Sequence, residues 1–435
     1  MKKSISGIRG IFGDDLTIPD VLEFCRNFAP SIKTKKCAVG NDTRPSSDIV
    51  REVAISALIE SGISVYNFGM VPTPVIFREA RKYGAGLIIT SSHNPIDWNG
   101  LKFIINGRGP NEKEFAQIVK KKPKKITQFG SEKDSVSTYV ESAVKIIGKI
   151  KHSPKILVDV GGGAAALIAP QLLKKLGCQT SVINENVNNR GPDPTSDKLT
   201  QLVAGSKKYD IGFAFDLDGD RLVVVKDGKK QSPDTTLALG TIKAMELGYK
   251  RFCLSIDTSV AVEKYIVQHG GSVVRSKVGE ANVIDTMLKQ KCQAGGEGSS
   301  GGFILPEFNM CRDGILTSGL IAAMTGREVI DEVIDYVSSY HQLRTKVSID
   351  SDLHDKVLKN LESKVRSQFG KIIMLDGIKT IVDGDTWALV RKSNTEDIIR
   401  VSVESNDLAK AQQIQKDMTI LVKQSSEEVG RKKHH

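Results

Sequence analysis

Between Lys36 and Thr90 short apolar runs alternate with stretches of helical periodicity, and this alternation limits the possible folds more than any other feature of the chain. Lys36-Cys37-Ala38-Val39-Gly40 reads as a strand and Ile49 to Glu60 as a helix, with Ser46 or Ser47 as caps near its start. Ser64 to Phe68 is the next strand, Pro72-Thr73-Pro74 opens a second helix, and Leu87 to Thr90 is a third strand. Strand, helix, strand in this rhythm implies a parallel sheet with crossover helices. A helical stretch, Val136 to Ile150, leads to a boundary. The rhythm then resumes with strands at Lys155–Val160 and Ile211–Phe215, and again at Phe252–Ile256 and Val273–Val278. After about residue 345 the pattern changes to a helix at Leu353–Val365, strands at Lys371–Met374, Trp387–Val390 and Ile398–Val403, and a helix from Asp407.

A chain of 435 residues is too long for one core, and length alone suggests about three domains. No apolar run approaches the roughly 20 residues needed to span a bilayer. The start, Met1 to Gly10, is basic but has no long apolar stretch, so it does not read as a signal peptide, and the cytoplasm is the expected location. Six scattered cysteines without Cys-x-x-Cys spacing argue for reduced, buried thiols rather than zinc or a disulfide framework. The net charge of +11 gathers at Lys120–Lys125, at Lys226, Lys229 and Lys230, and at Arg431-Lys432-Lys433. Aromatic content of 6% leaves these clusters without stacking surfaces, so no nucleic-acid partner and no membrane partner is expected. His434 and His435 are left out of the fold reading.

The strand Leu87–Thr90 ends in Ser91-Ser92-His93-Asn94-Pro95. Pro95 restricts Asn94 to extended geometry and holds the turn open, so a serine can face a cleft. Lys102 follows a second turn at Asn99-Gly100. A serine beside a histidine and a lysine suggests a nucleophile or a phosphorylated serine, although such a turn also serves as plain surface. No Gly-x-Ser-x-Gly elbow supports hydrolase chemistry.

The strand Ile211–Phe215 delivers Asp216-Leu217-Asp218-Gly219-Asp220-Arg221. Three carboxylates at alternate positions project to one side and would repel unless a divalent cation joined them. Hard oxygens suit Mg²⁺, and Arg221 adds a fixed fork for phosphate; a surface acidic turn is the alternative. An EF-hand is excluded by the strand that follows and by Asp227 at the twelfth position. Gly161-Gly162-Gly163 after a strand is able to cradle a phosphate or to allow close packing. Gly295 to Gly302 holds Glu297, Ser299 and Ser300 and reads as a sugar-binding loop or as a linker. Arg391, Ser393, Asn394 and Thr395 form a phosphate clamp or an ordinary turn.

In this order the motifs resemble those of the α-D-phosphohexomutase family over nearly the whole chain, closest to archaeal members. The resemblance implies three related α/β domains with mixed sheets plus a smaller α+β C-terminal domain around a central cleft. The units would be 1–150 (phosphoserine), 151–247 (magnesium), 248–344 (sugar recognition) and 345–435 (phosphate binding). It implies an isomerase of the phosphomutase type, interconverting hexose 1- and 6-phosphates of glucosamine, mannose or glucose. Ser92 would be the phosphoserine, and Asp216, Asp218 and Asp220 would hold Mg²⁺ together with Ser92. A sugar 1,6-bisphosphate would be intermediate and activator. Arg9, in Ser6-Gly7-Ile8-Arg9-Gly10, falls where the family places an arginine near the phosphoserine, and Arg9, Lys102 and Arg221 would balance its charge of about −1.5 to −2. Lys102 or His93, with Lys102 preferred, would move the hydroxyl proton. Glu297 and Ser299 would meet the sugar. Lys277 with Arg391, Ser393, Asn394 and Thr395 would hold the distal phosphate, and the last domain would open and close. The partner expected is a hexose phosphate, with the chain a monomer or homodimer. A Mg²⁺-dependent sugar phosphatase and a non-catalytic sugar-phosphate-binding protein are the rival readings. Ser300-Gly301-Gly302 replaces the histidine many members carry after Ser-Gly, and Arg391 to Thr395 is closer to the phosphomannomutase/phosphoglucomutase form than to the phosphoglucosamine mutase form, so the sugar stays open.

Overall fold

The computed structural model describes residues 1–120, 128–393 and 397–431. Four sheets organise it. The first has seven strands in the order Lys2–Ser4, Gly7–Ile11, Trp98–Ile105, Ala85–Ile89, Lys36–Asn41, Ser64–Met70, Glu132–Asp134. Lys36–Asn41 pairs in parallel with both Ser64–Met70 and Ala85–Ile89, as the crossover helices Ser47–Glu60 and Thr73–Tyr83 require. Beyond Ala85–Ile89 the sheet turns antiparallel, so it is mixed.

Period-two alternation divides the side chains of this sheet between two cores. Cys37, Val39, Leu87 and Ile89 face the helix Ser47–Glu60, whereas Ala38 and Ile88 face Thr73–Tyr83. The second of these cores does not stop at the first sheet. It continues through Ile156, Val158, Phe213 and Phe215 of the second sheet to Leu254 and Phe303 of the third, so three units share one apolar interior.

The second sheet runs Lys229–Lys230, Leu222–Lys226, Ile211–Phe215, Lys155–Asp159, Gln179–Ile183, and the third runs Ser272–Ser276, Arg251–Ser255, Ala294–Glu297, Gly302–Ile304. Each of the first three sheets contains the same local device: a strand in parallel pairing, then a short loop, then an antiparallel return strand. The loops of these hairpins are residues 90–97, 216–221 and 298–301, so one repeated geometry delivers the Ser92 turn, the aspartate motif and the end of the Glu297 strand.

The fourth sheet is antiparallel throughout, in the order His341–Ser348, Ile398–Ser405, Trp387–Lys392, Ile378–Ile381, Ile372–Ile373. Helices His354–Phe369 and Leu408–Arg431 cover it through Val357, Leu361, Ile414 and Met418.

Two local expectations change, at Asn99-Gly100 and at Gly295-Gly296. Asn99-Gly100 is not a turn but part of the strand Trp98–Ile105; a Cβ on Gly100 would lie 2.4 Å from the Ile8 carbonyl oxygen, so the glycine serves strand packing. Gly295 and Gly296 are likewise strand residues, not an open loop. Gly162 and Gly163 serve close packing, since a Cβ on Gly163 would lie 2.7 Å from the Leu217 backbone. Ala164–Leu176 is a 3₁₀ turn at Ala164–Leu167 and a helix only from Ala169, because Pro170 fits a first turn; Gly177 caps it in the left-handed conformation. The six cysteines are all buried and free. The helix Glu112–Lys120 includes the start of the lysine run, whose remainder lies outside the described residues, as do Lys432, Lys433, His434 and His435. Among the described residues no helix is long and apolar enough to cross a membrane.

Candidate active site

Ser92 adopts a left-handed backbone conformation (φ 52°), unusual for a residue with a Cβ. Its amide donates to Thr90 Oγ1 at 2.8 Å and its hydroxyl donates to Asp216 Oδ2 at 3.1 Å. The His93 ring lies on the other side, with Nδ1 3.3 Å from Ser92 Oγ. An Arg221 terminal nitrogen stands 3.3 Å from His93 Nε2 and can only donate, so that nitrogen is the acceptor and the ring proton sits on Nδ1. Burial, then the Arg221 guanidinium, pushes the His93 pKa down to about 2, so the ring stays neutral and donates to the serine oxygen.

Asp216, Asp218 and Asp220 are buried together, with one ligand oxygen from each within 4.8 Å of the others. Burial and then mutual repulsion raise Asp216 well above the ordinary carboxylate range, and burial with Asp220 raises Asp218. Burial also works against Asp220, but Arg312, Lys102 and Arg221 outweigh it and hold that carboxyl low. Thr73 fixes Asp218 by donating its hydroxyl to Oδ2 at 2.6 Å. Asp218 Oδ1 and Asp220 Oδ1 remain buried with no hydrogen-bond partner. Orphaned anionic oxygens on one side of a loop fit a hard divalent cation, which would remove the repulsion.

A cleft of about 590 Å³ opens above these groups, walled by Arg9, His93, Lys102, Arg221, Glu280, Glu297 and Arg312, with Ser393 and Asp397 from the fourth unit. Lys102 Nζ is 3.2 Å from Glu280 and 3.5 Å from Asp220. Burial disfavours its charge, but Glu280, Asp220 and Asp218 prevail and raise its pKa. Arg312 ties a loop, a strand end and a helix start together: it donates to Asp220 Oδ2 at 2.8 Å and to Glu297 Oε2 at 3.1 Å, and its Nε is 3.5 Å from Glu280. Arg221 is anchored at 3.1 Å by Asp193. The site therefore sets a serine oxygen between a neutral donor and a cation-ready carboxylate cluster, under a ring of cations suited to phosphate.

Known proteins match this chain across all four of its units, in chain order. Models of phosphoglucomutase/phosphomannomutase match all four units: alpha/beta/alpha domain I at residues 1–129, domain II at 137–229, domain III at 232–340 and the C-terminal domain at 354–421. A protein of Methanothermobacter thermautotrophicus named "Probable phosphoglucosamine mutase" is 32% identical over 432 residues, covering 94% of this chain and 95% of its own. The chain belongs to the phosphoglucomutase/phosphomannomutase family. It is a phosphohexomutase, an isomerase that works by intramolecular phosphoryl transfer. A Pyrococcus abyssi protein of the same printed name is 31% identical and covers 96% of the chain and 97% of its own. Among solved structures, a family protein from Burkholderia thailandensis superposes with a TM-score of 0.84 at 24% identity, covering 98% of both chains. Aspergillus fumigatus N-acetylphosphoglucosamine mutase, solved with GlcNAc-6P and magnesium, superposes at 0.61 with 12% identity, covering 98% of this chain and 96% of its own.

Of the residues singled out in the sequence, this phosphohexomutase brings His93, Arg9, Lys102, Arg221, Glu297 and Ser393 to the one cleft, with Ser92 and the three aspartates buried directly against His93, Lys102 and Arg221. Glu297 arrives with both oxygens engaged, one by the Gly279 amide at 2.6 Å and one by Arg312. Lys277 is exposed, and Lys277, Ser299 and Arg391 do not line the cleft. Asn394 and Thr395 lie outside the described residues. The sequence reading missed Thr73, Asp193, Glu280 and Arg312. Arg312 precedes Asp313, which caps the helix Gly314–Ala322 by accepting from the Leu316 amide at 2.9 Å, and that cap was the one legible signal near it. Asp193, in Gly191-Pro192-Asp193-Pro194, reads only as a turn.

Proposed function

We propose that the protein interconverts glucosamine 6-phosphate and glucosamine 1-phosphate through phospho-Ser92 and a sugar 1,6-bisphosphate. The observation that carries the reading is Ser92 Oγ, 3.1 Å from Asp216 and 3.3 Å from His93, which lines a cleft together with Arg9, Lys102 and Arg221. In the first half-reaction the free sugar hydroxyl oxygen bonds to phosphorus while the bond from phosphorus to Ser92 Oγ breaks, the electron pair staying with Oγ. The Nδ1 proton of His93 donates to that oxygen as it leaves. Lys102 rests in its charged form, so it passes one proton to Glu280, 3.2 Å away, as it takes the proton of the attacking sugar hydroxyl. The bisphosphate then turns over in the cleft and returns its other phosphoryl group to Ser92.

Mg²⁺ is the cation we assign to Asp216, Asp218 and Asp220, with phospho-Ser92 completing the set; when bound it supplies charge neutralisation for the transferred group. Ser393, which lines the cleft, serves the phosphate that is not reacting, with Arg391, Asn394 and Thr395 as its neighbours in the sequence. The choice of glucosamine rests on the printed names of the archaeal relatives.

The test supplies glucosamine 6-phosphate, mannose 1-phosphate and glucose 1-phosphate separately, with Mg²⁺ and a trace of glucose 1,6-bisphosphate, and runs Ser92→Ala alongside. Isomerisation that Ser92→Ala abolishes supports the mechanism, and the highest kcat/KM names the sugar. Release of free phosphate without isomerisation, from protein carrying phospho-Ser92, overturns it.

A further inference from the structure

Behind the Ser92 turn, away from the cleft, stands a buried ion pair whose side chains are 0% exposed: Asp42 and Arg44, with Arg44 Nε donating to Asp42 Oδ2 at 3.1 Å. Every remaining N–H of the guanidinium is spent on the turn itself. One terminal nitrogen donates to the carbonyls of Trp98 (2.8 Å) and Pro95; the other donates to those of Ser92 (2.6 Å) and Asn94 (2.8 Å). A guanidinium has five N–H donors, and all five are used. Three carbonyls of the loop and that of Trp98, the first residue of the return strand, therefore converge on a single planar cation.

Asp42 completes the device from its other side. Its Oδ2 accepts from Thr90 Oγ1 at 2.6 Å, and Thr90 Oγ1 accepts from the Ser92 amide at 2.8 Å. Its Oδ1 accepts from Ser47 Oγ at 2.7 Å and from the Arg44 amide at 3.1 Å. The carbonyl of Ser92 is thus fixed by Arg44 and its amide, through Thr90, by Asp42. Both ends of the one residue in the turn with positive φ are held by the same ion pair. Left-handed backbone is disfavoured for a residue with a Cβ and persists only where neighbours enforce it.

We propose that Asp42 and Arg44 are positioning residues for phosphoryl transfer, holding Ser92 in the backbone conformation that aims Oγ at Asp216 and the cleft. Neither lines the cleft, so they act through Ser92 and not on the sugar. The proposal rests on Ser92 being the phosphoryl carrier. Lysine at position 44 keeps the charge but has three donors on a point cation, and cannot span four carbonyls.

The experiment measures kcat, KM, melting temperature and phospho-Ser92 occupancy by intact mass for wild type, Arg44→Lys and Thr90→Val, using the sugar phosphate that wild type turns over best. The expected result is a kcat lowered about 100-fold in Arg44→Lys, as a misplacement near 1 Å produces, with KM within threefold, and a smaller loss of the same form in Thr90→Val. Equal kcat in the folded variants overturns the proposal. So does a loss that disappears once temperature is lowered until the variant is fully folded. If Arg44→Lys does not fold, Thr90→Val decides on the same criteria. Wild type that isomerises sugar phosphates without phospho-Ser92 defeats the Ser92 reading instead, which keeps the two failures separate.

Discussion

Ser92 Oγ donates a 3.1 Å hydrogen bond to Asp216 Oδ2, joining two hairpin loops 124 residues apart in the chain. The link places the oxygen proposed to carry the phosphoryl group against an aspartate whose carboxyl burial and its two neighbours push well above the ordinary range. Without a cation this cluster is a self-repelling one. Asp216→Asn is expected to leave the metal-free protein as stable as wild type or more so, because it removes a carboxyl whose charged form burial and its two neighbours disfavour. It is also expected to abolish the Mg²⁺-induced rise in melting temperature, which for a ligand at a hundred times its Kd corresponds to about 2.7 kcal/mol. Differential scanning fluorimetry with EDTA and with Mg²⁺ measures both. A full Mg²⁺ shift retained in Asp216→Asn contradicts the assignment of the site.

Lys102 and Glu280 are expected to act as a unit, since each is the other's nearest opposite charge in the cleft at 3.2 Å. Lys102→Met and Glu280→Gln each lower kcat/KM by about 10–100-fold, and the double variant is no worse than Lys102→Met alone. Losses that multiply in the double variant would show two independent roles and remove Glu280 from the proton path.

Much of the site was legible because its chemistry is carried by contiguous residues. Ser92-His93 and Asp216 to Asp220 are local patterns, and the hairpin that presents each one follows from apolar strands on either side. What the sequence did not disclose is assembled across units. Arg312 bonds to Asp220 and Glu297 from 92 and 15 residues away, and Thr73 reaches Asp218 from 145. No spacing rule relates such partners, because the shared core of three sheets and not the local chain brings them together. Arg44 was passed over for the same reason: its partners are backbone carbonyls, which carry no side-chain signature. The parallel rhythm predicted the crossover strands but not the antiparallel return strands, because the apolar run Leu222–Val225 reads alike in either direction.

The glycines around Glu297 give a stability prediction that separates packing from loop freedom. A Cβ on Gly295 would lie 1.9 Å from the Cys253 carbonyl oxygen, a backbone atom of the neighbouring strand that cannot move aside. Gly295→Ala is therefore expected to destabilise the protein by about 3 kcal/mol or more, or to prevent soluble expression. Gly109, with nothing within 4 Å of its Cβ position, accepts alanine within about 0.5 kcal/mol. Urea unfolding of the two variants compares them directly. Equal midpoints would mean that Ala294–Glu297 is the flexible loop its composition suggests.

The fourth unit docks on the third through a buried lysine. Lys379 is 4% exposed, donates to the Ile256 carbonyl at 2.6 Å and lies 4.1 Å over the Trp387 ring. Burial, then Arg275, brings its pKa from the ordinary 10.5 down to about 7, against the opposing pull of Glu404, Asp257 and Glu263. The unfolded chain keeps the ordinary value, so between about pH 7 and 10.5 it binds more protons at this site than the folded protein does, and stability rises with pH across that window. The contribution is complete above 10.5 and lost as the pH falls to about 7. Other groups titrate in the same range, so the quantity to read is the difference in melting temperature between wild type and Lys379→Met. That difference should move in favour of wild type by several degrees from pH 7 to pH 9.5 and stay flat from pH 5.5 to 6.5, where the lysine is charged in both states. A difference constant from pH 7 to pH 9.5 would mean that Lys379 stays charged in place, with Glu404 and Asp257 offsetting its burial.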